Sequence, residues 1–437
     1  MITVHPDQVS FEAFSLDESV YGCLSVNMDE FDIKGTPKLG TTNIDFSVKL
    51  AKEIERFRTY NEVELSINPE GFTVDTGVTP EHLEKKIDLP ESWIKGFNQV
   101  SAAASLKAFE IELAPVDLYD ICSFLRRNKA HKSPRAMRWI FEPNKRVKVI
   151  FEPWEKELEL STVYNGESPR TERLWGRRRW FIIEKLLPLS KSFRLRLFGF
   201  GMPQFLIADL GMMTMTIGFT SWSANDWVKG TSFNIMAGLI GNGDLDVKTP
   251  LKKQRIMTLN EIKDQFQGHP EEKIKGGIGM LLRKGEAYYD PIIEAFRYRQ
   301  LLNVPLPYEL YQVTPLERNV LGLMELAKRD FQLKLNKEME LIVNAKFVES
   351  IQKRERYGYT STIKKTYNVK ITFDQDKQIT KVECGCKEFK RGPRNISAPC
   401  KHVLATYITA SRYLSLALQI NKKYTINDLE DMITNEQ

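Results

Sequence analysis

In "FSVKLAKEIERFR" (residues 46–58) apolar residues recur at spacings of three and four, which predicts an amphipathic helix. The chain then switches to alternation in "NEVELSINPEGFTVDTG", where two alternating runs flank Asn68, Pro69, Glu70 and Gly71 and predict a β-hairpin. The order recurs further on. "APVDLYDICSFLRRN" reads as a helix, and "RAMRWIFEP", "KRVKVIFEP" and "KELELST" read as strands with turns at Pro143-Asn144 and Pro153-Trp154. The recurrence predicts a duplicated helix-plus-hairpin unit within a mixed α+β region covering residues 1–225. The most apolar window, "LFGFGMPQFLIADLGMMTMTIGFTSW", contains Pro203 and Asp209 and alternates at "MMTMTIGFT", a pattern of buried strands and not of a membrane span.

A Gly, Asp and Lys-rich stretch, "GLIGNGDLDVKTPLKK", marks a linker over residues 226–254, after which the periodicity is helical. "TLNEIKDQFQ" predicts a short helix behind Thr258, and "EEKIKGGIGMLLRKG" predicts a second that sets Ile274, Ile278, Leu281 and Leu282 on one face and ends at Gly285. "EAYYDPIIEAFRYRQLL" then predicts a two-stranded wing. Helix, turn, helix, hairpin is the order of a winged helix, expected over residues 255–312, although Gly276, Gly277 and Gly279 each weaken the second helix by up to ~1 kcal/mol relative to Ala. In the remaining region, 313–437, "ERNVLGLMELAKRD" and "LNKEMELIVNAKFVESIQKRERY" read as helical or mixed. "KTYNVKITFDQDKQITKVECGC" predicts a hairpin turning at Asp374 to Lys377. The fold class expected is therefore α+β and multidomain.

Composition narrows the function classes. Forty-two per cent hydrophobic and 11% aromatic content suffices for several cores in 437 residues. Asp7, Glu12, Asp17 and Glu18 interrupt the opening, so no secretory signal is expected, and a soluble, cytoplasmic protein is. The net charge of +6 conceals an asymmetry: 33 Lys+Arg against 23 Asp+Glu from Val247 onward, about +10, and 30 against 34 before it, about −4. A basic half fits nucleic acid or an acidic protein surface as partner. Enzyme signatures are sparse. There is no GxxxxGK[ST] loop and no HExxH, and "GGIGMLLRKG" lacks the third glycine of a dinucleotide fingerprint. His5, His82, His131 and His269 stand apart in polar surroundings that predict surface or turn placement, and Asp244 and Asp246 read as part of an acidic linker. "RLWGRRRWFIIEKLLP" sets Arg177, Arg178 and Arg179 between Trp175 and Trp180, an arrangement able to pair phosphates while stacking bases. It also reads as a helix with Trp180, Ile183 and Leu187 facing a core and the arginines outside. We expect no enzyme.

Three of the five cysteines and one histidine gather in "CGCKEFKRGPRNISAPCKH". Cys23 and Cys122 are isolated, so the chain is no disulfide framework, and clustered thiols in a reducing compartment hold metal or do redox chemistry. In an extended segment Cys384 and Cys386 project to one face, and Gly385 permits the bend that brings both sulfurs to one centre. Two residues apart on a helix means about 200° around the axis, so Cys400 and His402 can converge only if Cys400 precedes the helix that Pro399 delimits. At that position the free N–H groups favour a thiolate. Three thiolates and an imidazole make a closed tetrahedral site, for which Zn²⁺ is the expected metal. Lys387, Lys390, Arg391, Arg394 and Lys401 surround this negative centre, either to neutralise it or to contact phosphates, with Lys273, Lys275, Arg283 and Lys284 of the helical unit as the next candidates.

CxC, thirteen residues, then CxH, with a hairpin before and a helix after, resembles the SWIM zinc finger, spanning about residues 365–410. The resemblance implies that Cys384, Cys386, Cys400 and His402 bind one zinc. "GFGMPQFLIADLGMMTMTIGFTSWSANDW" and "GEAYYDPIIEAFRYRQL" resemble segments of bacterial SWIM zinc finger proteins associated with MoxR-type AAA+ ATPases and von Willebrand factor A proteins. That implies a non-catalytic interaction or adaptor component with such proteins as partners and no membrane. The alternative is a nucleic-acid-binding protein that uses the zinc finger and winged helix.

Overall fold

The structure, a computed structural model, describes residues 1–131, 135–198, 203–220, 226–228, 245–302, 304–311, 319–320, 322–323, 330–336, 340–354, 360–373, 379–390, 400–411 and 424–425. The chain opens with a meander, β1 (Ile2–Val4), β2 (Gln8–Phe14) and β3 (Val20–Asn27), then β4 (Gly40–Thr42), α1 (Val48–Ile54) and the small antiparallel sheet β5 (Glu64–Asn68), β6 (Gly71–Asp75) and β7 (His82–Lys85). Ser47 caps α1 by accepting from the Leu50 N–H, and the Asn68 side chain closes the β5–β6 turn on the N–H groups of Glu70 and Gly71. Next come α2 (Glu91–Ala104), β8 (Phe109–Leu113), α3 (Pro115–Arg127), β9 (Met137–Phe141), β10 (Lys145–Phe151), β11 (Lys156–Tyr164) and β12 (Arg170–Leu174). A 3₁₀ segment, Arg177–Lys185, leads to a second meander, β13 (Ser192–Leu197), β14 (Gln204–Asp209) and β15 (Met213–Phe219).

The two meanders join through β3 and β15 into one antiparallel sheet of order β4-β1-β2-β3-β15-β14-β13-β8. Its outer strands β4 and β8 each lead into a helix followed by a small sheet, so the order strand, helix, hairpins occurs twice along the chain. The described part of the apolar window falls on β14, buried apart from Asp209, and on β15, buried from Thr216 onward. On β14, Phe205 packs with α2, whereas Leu206 and Ala208 face the core built by Trp139, Phe141 and Trp180, so both faces are covered and the strand reads as continuously apolar. Buried Asp117 fixes α3 on β11 by accepting from the Ser161 N–H and the Thr162 hydroxyl, both at 2.6 Å.

Residues 248–254, read from composition as linker, form α4 (Lys248–Gln254); Asp246 caps it and Leu251 is buried. It is followed by β16 (Ile256–Thr258), α5 (Leu259–Gln265), α6 (Glu271–Arg283), β17 (Ala287–Asp290) and β18 (Ala295–Tyr298), with sheet order β16-β18-β17. Thr258 and Glu261 form a reciprocal capping box on α5. Ile274, Ile278, Leu281 and Leu282 share one core with Phe97, Val100 and Ala104 of α2. A Cβ on Gly277 would lie 2.6 Å from Val247 Cγ2 and 2.8 Å from the Leu245 carbonyl oxygen, so close approach explains a glycine that helix propensity alone disfavours. Ion pairs reinforce the contact: buried Arg299 with buried Glu12, and buried Arg297, itself paired with Asp290 across the hairpin, with half-exposed Asp7. His5, placed at the surface by its polar sequence neighbours, is instead buried, 5.5 Å from the Tyr288 ring.

After α7 (Tyr308–Tyr311), a second unit holds β19 (Gln332–Leu335), β20 (Leu341–Arg354), β21 (Thr360–Phe373), β22 (Ile379–Cys384), α8 (Lys387–Lys390), α9 (Lys401–Ser411) and β23 (Tyr424–Thr425), with sheet order β22-β21-β20-β19-β23. The stretch read as helical or mixed is strand β20 over residues 341–354: Leu341, Val343, Ala345 and Phe347 alternate into the core and pair along β21. Most of the expected helix at 317–330 and the turn at 374–377 lie outside the described residues. Among the described residues no helix is long and apolar enough to cross a membrane.

Candidate metal centre

Cys384 is the last residue of β22, paired with Val369 and turned inward, and the chain bends at Cys386 itself; Gly385 has no positive φ and open space around it, so nothing there requires a glycine. Cys400 immediately precedes α9. Its carbonyl accepts the first helical bond from the Leu404 N–H, so it sits at the helix's positive end, as the local spacing required. His402 then lies in the first turn. All four side chains are buried, and their ligand atoms lie within 4.8 Å of one another. Cys400 Sγ is 3.5 Å from Cys384 Sγ and 3.7 Å from His402 Nδ1. Sulfurs at about 2.3 Å from a tetrahedral centre stand about 3.8 Å apart, so a group whose ligand atoms lie within 4.8 Å of one another, two pairs of them at 3.5 and 3.7 Å, is compact enough to hold one metal ion. The donor set agrees. Close approach of Cys384 together with burial pushes the Cys400 thiol up to about 12, and burial raises that of Cys386. These thiols stay neutral by themselves, and a bound cation would favour their ionised, ligating forms.

Sequence reasoning missed a fifth residue. Glu349 of β20 places Oε1 3.3 Å from His402 Nε2 and 2.8 Å from Lys401 Nζ. His402 turns Nδ1 toward the sulfurs and Nε2 toward the Glu349 carboxylate, at ion-pair distance but without hydrogen-bond geometry, so Nε2 has no formed hydrogen bond among the described residues. The rings of Phe347 and Tyr367, with centroids 5.3 and 4.5 Å from the imidazole, hold its plane. A metal held by the four residues would tie β22 to α9, and Glu349 ties α9 to β20. Among the described residues no other group of three or more His, Cys, Asp or Glu side chains is close enough to hold an ion.

The basic candidates separate. Lys401 is committed to Glu349; Lys387 and Lys390 begin and end α8; Arg391 and Arg394 lie outside the described residues, as does Asp244. In α6, Lys273 is exposed, Lys275 pairs with Glu271 at 2.7 Å and Arg283 is buried. Lys284 lies 5.5 Å over the Tyr311 ring. The arginine run does not point outward as expected. Trp180 and Ile183 are buried and Leu187 is half-buried, but Arg177 is buried too, donating to the Glu152 carbonyl, and Arg179 donates to the Thr220 carbonyl at 2.7 Å. Burial lowers Arg177 to about 10, and only Arg178 of the three faces solvent.

The sequence matches no protein-family model and no curated protein. Among solved structures the chain is similar to PCNA from Thermococcus kodakaraensis, with 12% identity over 50% of this chain and 88% of that one and a TM-score of 0.36. It is also similar to the Proliferating Cellular Nuclear Antigen of Entamoeba histolytica, with 13% identity over 50% and 87% and a TM-score of 0.37.

Proposed function

We propose that the chain is a zinc-dependent, non-catalytic binding component whose C-terminal unit is a SWIM-type finger. The observation that carries this is the ligand set. Four buried protein donors lie together, and around one metal they would fill a tetrahedral shell, leave no position for water or substrate, and join a strand to a helix. The metal, when bound, supplies a cross-link. The flanking rings hold His402 with Nε2 facing Glu349, and the metal would offset the Cys384 contact and the burial that keep Cys400 protonated. The resemblance to proteins that accompany MoxR-type AAA+ ATPases makes such an ATPase the protein partner to test.

The pairing β16-β18-β17 around α4, α5 and α6 supports a winged-helix reading of the middle unit, used as a joint. From Gly276 onward α6 is buried apart from half-buried Met280, and β17–β18 is held by Asp7, Glu12 and Arg196, which disfavours groove reading by this unit. Purified chain should bind its ATPase partner without turning over nucleotide, nucleic acid or peptide, and Cys400→Ser should abolish the binding. Turnover stopped by a single carboxylate substitution would refute the proposal.

A further inference from the structure

The register of the C-terminal sheet places five lysines on one solvent-facing side, opposite the metal cluster. Phe347, Val343 and Tyr367 point to the core, so the alternate positions point away from it. Those positions hold Lys346 opposite Asn368, Lys370 opposite Asn344 and Glu383, Lys364 opposite Ser350, Lys381 opposite Thr372, and Lys334 opposite Ile342. Glu383 is the single carboxylate among the described residues of this face, and Lys381 already holds it at 2.7 Å. Five positive charges against one negative leave +4.

The protein provides its own control. On the exposed strands β10 and β11, Lys145, Arg146 and Lys148 are each matched by a glutamate, Glu142, Glu159 and Glu157, at 3.1, 3.6 and 2.9 Å. An ordinary solvated sheet in this chain is charge-balanced, and the C-terminal face is not. Between its lysines stand exposed Asn344, Asn368, Ser350 and Thr366, together with exposed Val348 and half-buried Ile342, and at one end Thr372 is buried. The aromatic residues of these strands are turned inward, so the face has no platform on which to stack a base. Lys364 and Lys370, six residues apart on β21, span roughly 20 Å, about the length of six phosphates along one strand of a duplex.

We propose that this lysine face of the C-terminal sheet docks the phosphate backbone of a nucleic-acid duplex, without reading its sequence. The inference rests on the reading of the chain as a binding component and names one partner of its finger. It relocates the contact from the loop around Lys387 to the opposite side of the sheet, with the metal holding that sheet from behind.

The test uses full-length protein and a fluorescein-labelled 24-base-pair DNA duplex of arbitrary sequence, titrated by anisotropy from low to physiological salt. About four phosphate contacts predict a log–log salt slope of about −3 to −4 and equal affinity for unrelated sequences. The double variant Lys346→Gln/Lys370→Gln should bind at least about tenfold more weakly at low salt, with the slope flattened by about 2, while keeping its zinc and its protein partner. Lys145→Gln/Lys148→Gln, on the balanced sheet, should bind as wild type. The proposal is overturned by absence of duplex binding at low salt, by equal loss in both double variants, or by a preference for anionic vesicles over DNA. Loss of zinc or of turnover silence would instead strike the functional reading beneath it.

Discussion

Replacing Glu349 by alanine tests whether the centre reaches beyond its four ligands. The substitution removes the carboxylate 3.3 Å from His402 Nε2, the one charged group that this buried and otherwise unbonded nitrogen faces beside Phe347 and Tyr367. Partners of this kind are worth about 10- to 100-fold in metal affinity, or about 1.4 to 2.7 kcal/mol. The lost ion pair to Lys401, about a quarter exposed, adds less than about 1 kcal/mol. Competition against a chromophoric chelator at neutral pH should therefore show zinc held 10- to 100-fold more weakly by Glu349→Ala, and by a smaller factor in Glu349→Gln, which keeps an acceptor oxygen. Glu383→Ala, on the opposite face of β22, should leave zinc affinity unchanged. Wild-type affinity in Glu349→Ala would refute the reasoning and assign the orientation of His402 to the flanking rings alone.

Three further outcomes follow from buried groups elsewhere. Burial, reinforced by Arg297 and Arg299, lowers His5 to about 3, so below its unfolded value of 6.5 only the unfolded chain gains a proton there. Its share of stability is complete above that value and falls by up to about 1.4 kcal/mol per pH unit as pH drops toward 3. Urea unfolding across this range should show a shallower pH dependence in His5→Gln, and an unchanged slope would contradict the burial. Gly277→Ala should destabilise by about 1 to 3 kcal/mol despite alanine's better helix propensity, because its Cβ would overlap Val247; a more stable protein in thermal unfolding would contradict the packing. Glu12→Gln should cost about 3 to 5 kcal/mol by leaving Arg299 buried and unpaired, whereas Asp7→Asn should cost less because Asp290 still holds Arg297; equal losses in denaturant titrations would contradict this ranking.

The cluster of candidate ligands was legible because its constraints are local: a strand that ends at Cys384, a helix that starts after Cys400, and the short spacing within each pair. The hairpins and apolar strands were legible for the same reason, since turn chemistry and alternation act over a few residues. Glu349 was not. On its own strand it is one more polar residue, and only pairing with β21 and docking of α9 bring it to His402. Burial of His5, Arg177 and Arg179 likewise depends on neighbours distant in sequence, namely Tyr288, the Glu152 carbonyl and Thr220. The glycines of α6 counted against a helix on propensity, yet Gly277 lies where close packing leaves no room for a side chain. The linker reading stopped short at α4 because Lys, Thr and Pro dominate its composition, while a cap from Asp246 and one buried leucine decide its structure.

The central claim is that one zinc, closed in by three sulfurs and one nitrogen, clamps the C-terminal unit. X-ray absorption at the zinc edge, on protein purified without added chelator, tests it most directly. The account predicts one zinc per chain with three sulfur ligands at about 2.3 Å and one nitrogen at about 2.0 Å. Chain without zinc, or a zinc whose shell includes an exchangeable oxygen, would contradict it.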